Sequence, residues 1–253
     1  MVTDGAQGSV GHDVLGRRAI ERRSGDPVTQ GRPVRFGPFS AVLTETELRY
    51  VAIDDRELVR RVHVAVRDPD WGTLRPTIEI LGIADQGGRF EMEAHLRYRD
   101  DPIRFDCDIR IKGGETGFEY EMDGTCGSDF AYNRIGLCVM LPLEGCVEAP
   151  YRAAGPAGST TGTLPRHVGP QLIRGDEILP LFPGFDRLAI MTTIGYDLDL
   201  ELDGDLFEME DQRNWTDASF KIYSTPLALP RPRRAAVGDR IRQVLQVQAR
   251  PRP

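Results

Sequence analysis

Apolar and polar residues alternate along several short segments of this chain. The pattern is clearest over Ile103–Lys112, where Ile, Phe and Cys occupy every second position and Arg, Asp and Lys lie between them. Alternation with a period of two is typical of a β-strand with one buried and one solvated face. Gly113-Gly114 interrupts the pattern, which resumes over Gly117–Gly124. The two segments therefore predict a β-hairpin joined near Lys112–Thr116.

Other segments carry the same signal. Strands are also predicted at Ala41–Leu43, Leu48–Ile53, Arg60–Val66, Ile194–Leu202, Leu206–Glu210 and Asp239–Gln248. The turn signal Asp203-Gly204 predicts that Leu206–Glu210 is the return strand of Ile194–Leu202. No long amphipathic helix competes with these strands. The sequence therefore predicts an all-β fold, an antiparallel β-sandwich of two large sheets with an acidic, polar outer face.

The two ends of the chain differ from the middle. Residues 1–33 are polar and Gly-rich, with one weak helical candidate at Asp13–Arg23, and we expect a flexible leader there. The sandwich domain is predicted over 34–249, followed by a short tail at 250–253. The connection from Glu148 to Leu181 is rich in Gly, Pro and Thr and too long for a simple turn. It either covers a site or makes a long surface excursion.

Composition narrows the class of protein. The chain has 253 residues and 40% hydrophobic residues, enough for a globular core. Its longest apolar runs, such as Ile135–Leu143, are too short to cross a membrane, and the leader has no apolar segment typical of a secretory signal. These features predict a cytoplasmic protein without a membrane partner. The four cysteines lack CxxC spacing and a nearby His cluster, so we expect reduced, buried thiols and no metal or organic cofactor.

The charge is unevenly distributed. Formal net charge is −7, yet residues 231–253 carry seven Arg against one Asp, which leaves the rest of the chain strongly acidic. An acidic body argues against nucleic acid as a partner. The Arg-rich end is interpreted as a solvated edge strand rather than an interaction arm.

The segment 205–227 is the densest in chemically active side chains. Alternation places Phe207 and Met209 on one face, where they would fill the core, and Glu208 with Glu210 on the other. Two carboxylates about 7 Å apart on one strand can share a site in which one pKa is raised by the other charge. They can equally form a solvated acidic face, so parity alone leaves both readings open.

Beyond Glu210 the period of two is lost. Trp215 lies beside Asn214 and Asp217, a combination that binds sugars because the indole stacks on C–H faces while polar groups bind hydroxyls. In lactone hydrolysis a carboxylate would activate water, and Lys221 or Arg213 would stabilise the oxyanion. The predicted catalytic residues are Glu208, Glu210, Asp217 and Lys221. Alternatively, Trp215 anchors a loop and Lys221 pairs with Asp217.

Two further segments contribute to the predicted site. Trp71, in a loop next to carboxylates, is a candidate second wall of the pocket. Arg134 is a candidate clamp for a carboxylate or, alternatively, a structural ion-pair partner. The predicted substrate-binding residues are Trp215, Asn214, Arg213, Asp211, Arg134 and Trp71.

Three segments together resemble a known family. They are Val64–Thr73, Asn133–Val139 and, above all, Phe207–Lys221 with its run Phe-Glu-Met-Glu-Asp-Gln-Arg-Asn-Trp-Thr-Asp-Ala-Ser-Phe-Lys. They are similar to the N-terminal β domain of the D-apionate lactonase family. The likeness runs from about Val34 to Gln248. The resemblance implies a role in hydrolysis of D-apionolactone to D-apionate, in apiose catabolism, by a carboxylic ester hydrolase.

The resemblance also implies a partner. In that family the β domain is followed by a barrel domain and a smaller C-terminal piece, so we expect this chain to act with a barrel-domain partner. Two hypotheses follow. The chain contributes to a sugar-lactone hydrolase, or it is a non-catalytic β-sandwich that binds a sugar lactone or sugar acid, or docks on another subunit.

Overall fold

The computed structural model describes residues 31–169, 173–174, 177–227 and 229–252. Most of the predicted leader, including its helical candidate Asp13–Arg23, lies outside the described residues. The described strands are β1 (Arg32–Phe36), β2 (Phe39–Thr44), β3 (Glu47–Ile53), β4 (Arg56–Arg67), β5 (Thr77–Gln86), β6 (Arg89–Asp100), β7 (Ile103–Gly113), β8 (Gly117–Cys126), β9 (Phe130–Tyr132), β10 (Arg134–Pro142), β11 (Pro150–Gly155), β12 (Gly158–Thr163), β13 (Ile173–Arg174), β14 (Glu177–Ile178), β15 (Arg187–Met191), β16 (Tyr196–Asp203), β17 (Glu208–Asp211), β18 (Ser219–Tyr223), β19 (Arg233–Ala235) and β20 (Arg240–Pro251). A 3₁₀-helix, Gln212–Trp215, separates β17 from β18.

The strands form two large antiparallel sheets. One has seven strands in the order β1-β2-β3-β4-β10-β18-β17, and the other has nine in the order β12-β11-β15-β16-β20-β8-β7-β6-β5. Two small sheets pair β13 with β14 and β19 with β9. The predicted antiparallel β-sandwich is confirmed.

The core lies between the two large sheets. In β7 the apolar positions of the alternating pattern are buried and the charged positions face outward, because only one face of the strand meets the opposite sheet. Phe36 of the seven-stranded sheet lies 6.3 Å from Phe90 and 6.2 Å from Phe118 of the nine-stranded sheet, centroid to centroid. Each fully buried aromatic side chain contributes about 1.5–3 kcal/mol.

Several strand predictions are confirmed. The hairpin of β7 and β8 forms with the expected antiparallel register, from Gly113 opposite Phe118 to Phe105 opposite Cys126. Phe207 and Met209 are fully buried in the core, as parity predicts.

The predicted hairpin of Ile194–Leu202 with Leu206–Glu210 is wrong. Strand β16 pairs with β15 and β20 in the nine-stranded sheet, whereas β17 pairs with β18 at the edge of the seven-stranded sheet. The chain turns after Asp203 and crosses to the other sheet. A turn signal reports a local change in direction but does not specify which sheet the next strand joins.

The remaining differences concern strands that were not predicted and the residues at which strands begin and end. Strands β5 and β6 have no counterpart in the sequence prediction, and β11 and β12 form a hairpin inside the connection from Glu148 to Leu181. Strand β1 begins at Arg32, just inside the predicted leader, and β20 continues to Pro251 in the predicted tail. Within the described residues, no helix has the length and apolar character needed to span a membrane.

Candidate functional site

The outer face of the seven-stranded sheet carries two rows of mostly polar side chains across the strands β4, β10, β18 and β17. Register places residues that pair on adjacent antiparallel strands on the same face. The first row consists of His63, Cys138, Tyr223 and Glu208, and the second consists of Arg61, Met140, Lys221 and Glu210. The sheet therefore brings carboxylates, cations and a phenol together from segments far apart in sequence.

Glu208 is a buried carboxylate held from two sides. It is 4% exposed, and its Oε2 accepts hydrogen bonds from the Leu227 backbone N–H at 2.8 Å and from the Tyr223 hydroxyl at 3.3 Å. Burial raises the pKa of Glu208, against the opposing effect of these hydrogen bonds and of the Arg134 charge. Its Oε1 makes no hydrogen bond to any described residue. The arrangement suits a group that exchanges a proton.

Glu210 is 7% exposed and forms an ion pair with Lys221. Its Oε1 also accepts a hydrogen bond from Gln212 Nε2 at 2.6 Å. The alternative of a solvated acidic face is therefore wrong for both Glu208 and Glu210, because segments beyond β17 and β18 cover the strand. The alternative pairing of Lys221 with Asp217 is also wrong, since Lys221 faces Glu210 on the adjacent strand.

Arg134 is a buried cation stacked on aromatic rings. Its guanidinium carbon lies 3.9 Å from the centroid of the Tyr223 ring and 5.7 Å from that of Trp71. Its Nε is buried without a hydrogen-bond partner. Burial lowers the pKa of Arg134, which nonetheless remains charged because arginine titrates far above neutrality. Lys221 lies 5.3 Å from the Tyr223 ring centroid, so two cations flank this phenol.

Hydrogen bonds made by Asp68 and Arg67 hold the loop that carries Trp71 in place. The Asp68 carboxylate accepts hydrogen bonds from the backbone N–H groups of Asp70 at 2.9 Å and Gly72 at 2.7 Å, an Asx-turn arrangement. Arg67 donates to the Trp71 carbonyl at 2.9 Å. Trp71 is 39% exposed, so its indole remains available at the edge of the site.

We call this group the outer-face cluster: Glu208, Glu210, Lys221, Tyr223, Arg134 and Trp71. It offers a carboxylate of raised pKa, an unpartnered guanidinium nitrogen and an exposed indole edge. These groups can activate water, bind a developing oxyanion and stack on a sugar face, respectively. The described residues contain no group of three or more His, Cys, Asp or Glu side chains that could hold a metal ion.

Asp211 and Arg213 make structural contacts next to this cluster. Arg213 donates to both carboxylate oxygens of Asp211, at 2.8 and 2.6 Å, and to the carbonyls of Pro165 and Arg166, each at 2.8 Å. These contacts tie the 3₁₀-helix to the chain that follows β12. Substrate binding by Asp211 and Arg213 stays a prediction, and most of their hydrogen-bonding capacity is already used.

The other predicted residues lie on the 3₁₀-helix or just beyond it. Asn214 donates to the Asp211 carbonyl at 3.3 Å, and Asp217 accepts from the Ser219 hydroxyl at 3.3 Å. The Trp215 indole is 56% exposed, and no described contact joins it to the outer-face cluster. The structure therefore brings together five of the predicted site residues: Glu208, Glu210, Lys221, Arg134 and Trp71.

A family model described as D-apionate lactonase, N-terminal domain, matches residues 20–252. The chain belongs to this family. The D-apionate lactonase of Brucella anthropi is 35% identical over 211 residues, which cover 81% of this chain and 33% of that protein. The chain thus spans about a third of the length of this curated relative. The resemblance carried by the three sequence segments is confirmed at the level of the family.

Solved structures share the fold. A galactose mutarotase related enzyme of Lactobacillus acidophilus is similar with a TM-score of 0.56 and 10% identity, over 87% of this chain and 97% of that one. A galactose mutarotase-like protein of Clostridium acetobutylicum has a TM-score of 0.55 and 7% identity, over 88% and 96%. The GH36 α-galactosidase AgaB of Geobacillus stearothermophilus has a TM-score of 0.52 and 11% identity, over 90% and 40%. At these identities the likeness shows the fold alone.

Sequence reasoning missed five members of the two rows in this family domain: Tyr223, His63, Cys138, Arg61 and Met140. Burial and the neighbouring cations hold the pKa of His63 well below its usual value, so its imidazole is neutral. Its Nδ1 is buried without a hydrogen-bond partner. The alternation on the predicted strand Arg60–Val66 placed His63 on the face opposite the core. The sequence did not show which strands pair next to it, so its neighbours could not be named.

Proposed function

We propose that this chain contributes the outer-face cluster to hydrolysis of a sugar lactone, D-apionolactone, to the sugar acid D-apionate. The observation that carries the proposal is the geometry of Glu208: a buried carboxylate of raised pKa, fixed through one oxygen by Tyr223 and Leu227. Membership of the D-apionate lactonase N-terminal domain family supports the choice of reaction.

The chemistry assigns a role to each group. Glu208 Oε1 takes a proton from water as the water oxygen attacks the lactone carbonyl. The oxyanion that forms is stabilised by the positive charge of the Arg134 guanidinium, which costs little reorganisation because this group is already stacked on the Tyr223 ring. The ring C–O bond then breaks and the proton passes to the leaving alkoxide. The product is a hydroxy acid, which releases a proton as it ionises.

Glu210 and Lys221 support this site. The Glu210 charge adds to the rise in the pKa of Glu208 that burial causes, and the ion pair with Lys221 gives this second buried carboxylate a partner. Trp71 provides an apolar face on which the C–H side of a sugar ring stacks. We further propose that a barrel-domain partner, as in the family, completes the enclosure of the substrate.

Hydrolysis is tested in a pH-stat with D-apionolactone. The chain is assayed alone and mixed with the part of the Brucella anthropi lactonase beyond the matched third. Glu208→Gln should abolish the acid release seen with the unmodified chain. The matched control is Glu119→Gln, which removes a half-buried carboxylate from the outer face of the nine-stranded sheet and should leave the rate unchanged.

Two results separate the outcomes. A Glu208→Gln chain that supports the full rate would contradict the catalytic role. Absence of hydrolysis in both settings, with D-apionate binding lost on Arg134→Met, would favour a non-catalytic module that binds the sugar acid.

A further inference from the structure

A cleft of about 430 Å³ is lined by residues that do not belong to the outer-face cluster. Its polar lining comes from five separate elements. Tyr132 ends β9, Arg233 begins β19, Asp205 follows β16, Thr225 follows β18, and Gln243 belongs to β20. The volume is within the range of small-molecule sites.

The floor of the cleft is rigid. Gln243 is buried between the sheets, where its Oε1 accepts from the Leu137 backbone N–H at 2.7 Å and its Nε2 donates to Ser224 Oγ at 2.8 Å. The amide therefore replaces a strand partner at the point where β18 ends. Among the described residues, the second hydrogen on Gln243 Nε2 has no acceptor.

One wall of the cleft is the Asp205 carboxylate. Gly204 lies against β20 so closely that a Cβ there would be 1.9 Å from the Arg242 carbonyl oxygen, and its φ is +95°. This tight crossing directs Asp205 into the cleft, where Leu206 N–H donates to Oδ1 at 2.8 Å and Thr225 Oγ1 to Oδ2 at 3.3 Å. Each oxygen can accept a further hydrogen bond from a ligand hydroxyl.

The other wall is Arg233. It pairs with Tyr132 across the small sheet, so both side chains lie on the same face. Two other arginines of the cleft are engaged with carboxylates, Arg240 with Asp123 and Arg242 with Glu121. Arg233, in contrast, has no carboxylate within ion-pair distance among the described residues, and it faces Asp205 only across the gap.

We propose that this cleft binds a small carboxylic acid with several hydroxyl groups. The carboxylate pairs with Arg233, whose planar guanidinium accommodates two parallel hydrogen bonds, while the hydroxyls bind Asp205 and Gln243. One unpartnered guanidinium matches one negative charge. The Asp205 carboxylate in the wall of the cleft disfavours a doubly charged phosphate.

Isothermal titration calorimetry with D-gluconate tests the site. We expect binding to the unmodified chain, with affinity lowered at least about tenfold by Arg233→Gln, because a charge-assisted pair is lost. The matched control is Arg234→Gln. Arg234 is the next residue of the same strand, exposed and on the opposite face, and its removal should leave the affinity unchanged.

Three further ligands test the carboxylate, the hydroxyl groups and the charge of the bound acid, and one further variant serves as a control. D-Sorbitol, which lacks the carboxylate, and acetate, which lacks the hydroxyls, should both bind at least about tenfold more weakly than D-gluconate, and D-glucose 6-phosphate should also bind more weakly. Arg99→Met removes an exposed arginine paired with Asp106 on the nine-stranded sheet and should leave D-gluconate binding unchanged.

Several results would overturn the proposal. They are equal D-gluconate affinity in Arg233→Gln and the unmodified chain, D-sorbitol binding as tightly as D-gluconate, and no heat of binding with D-gluconate. Loss of binding in Arg134→Met with retention in Arg233→Gln would place the acid in the outer-face cluster instead. A thermal melt of Arg233→Gln that matches the unmodified chain shows that its affinity reports on the site.

Discussion

The outer faces of the two large sheets carry similar side chains in opposite environments. On the nine-stranded sheet, charged pairs such as Arg240 with Asp123 and Arg250 with Asp199 lie largely in solvent. On the seven-stranded sheet, Glu208 and Glu210 are buried beneath neighbouring segments. Charges in water contribute little when paired, whereas buried charges must be held by specific partners. The difference is one of burial, and it is the reason why we propose a chemical role for the polar groups of the seven-stranded sheet.

The largest expected difference between the two faces is in how much their ion pairs contribute to the free energy of unfolding. Lys221→Met leaves Glu210 buried without its cation, and we expect the free energy of unfolding to fall by about 3 kcal/mol. Arg250→Met removes an exposed partner of Asp199 and should cost less than about 1 kcal/mol. Urea unfolding of the two variants measures both values. Equal losses would mean that the two faces do not differ in the way described.

Hydrogen bonds to carboxylates provide a second comparison. Tyr223→Phe removes the hydroxyl that donates to buried Glu208, and we expect a loss of about 1.5–2 kcal/mol because Oε2 keeps only the Leu227 N–H as a donor. Gln246→Ala removes a donor to Glu119 on the exposed face and should change stability by less than about 0.5 kcal/mol. Thermal unfolding followed by circular dichroism distinguishes them. A Tyr223→Phe chain as stable as the unmodified one would show that Glu208 does not depend on this hydroxyl.

The stability contributed by a carboxylate of each face should also change with pH in opposite directions. Burial raises the pKa of Glu208 above its unfolded value of 4.5, so its contribution is present below that pH and is lost as pH rises through the folded pKa. The hydrogen bond from Arg240 lowers the pKa of Asp123, whose contribution is present above 3.8 and is lost as pH falls through the folded pKa.

Chemical unfolding measured between about pH 3 and pH 7 checks the direction of these two changes in stability. Glu208→Gln should lessen the loss of stability on the way from acid to neutral pH, while the raised pKa of Asp205 still contributes. Asp123→Asn should lessen the loss in acid. A Glu208→Gln profile parallel to that of the unmodified chain would contradict the burial of this carboxylate.

The smallest expected effect distinguishes the two tryptophans. Trp71 stacks near Arg134, so Trp71→Ala should lower the affinity for D-apionate severalfold, as is usual for loss of one aromatic contact. Trp215 is exposed and outside the described contacts of the cluster, so Trp215→Ala should have little effect. Calorimetric titration of both variants measures this. A larger loss for Trp215→Ala would restore the sugar-binding role predicted from its sequence neighbours.

Much of the fold could be predicted because alternation reports directly on which face of a strand is buried. Ile103–Lys112 and the core positions Phe207 and Met209 are examples. The pairing between distant strands could not be predicted, because the turn signal Asp203-Gly204 does not show that the chain crosses to the other sheet. Strand β5 was missed because most of its residues are exposed, which weakens alternation.

The candidate site was predicted in part for the same reason. Glu208, Glu210 and Lys221 were found because they lie close together in sequence on β17 and β18. Their burial was not predictable, because it depends on covering segments such as the one that places the Leu227 N–H against Glu208. The hydroxyl of Tyr223 became significant only once its strand was known to pair with β17.

The central claim is that the outer-face cluster binds the acid or lactone through Arg134. It is tested most directly by calorimetric titration of D-apionate into chains that carry Arg233→Gln, so that the cleft does not contribute. Adding Arg134→Met should weaken binding at least about tenfold, because the positive charge that pairs with the ligand carboxylate is lost. Adding Arg99→Met instead, which removes an exposed arginine paired with Asp106 on the other sheet, should leave binding unchanged. Equal affinity in the two chains would contradict the claim.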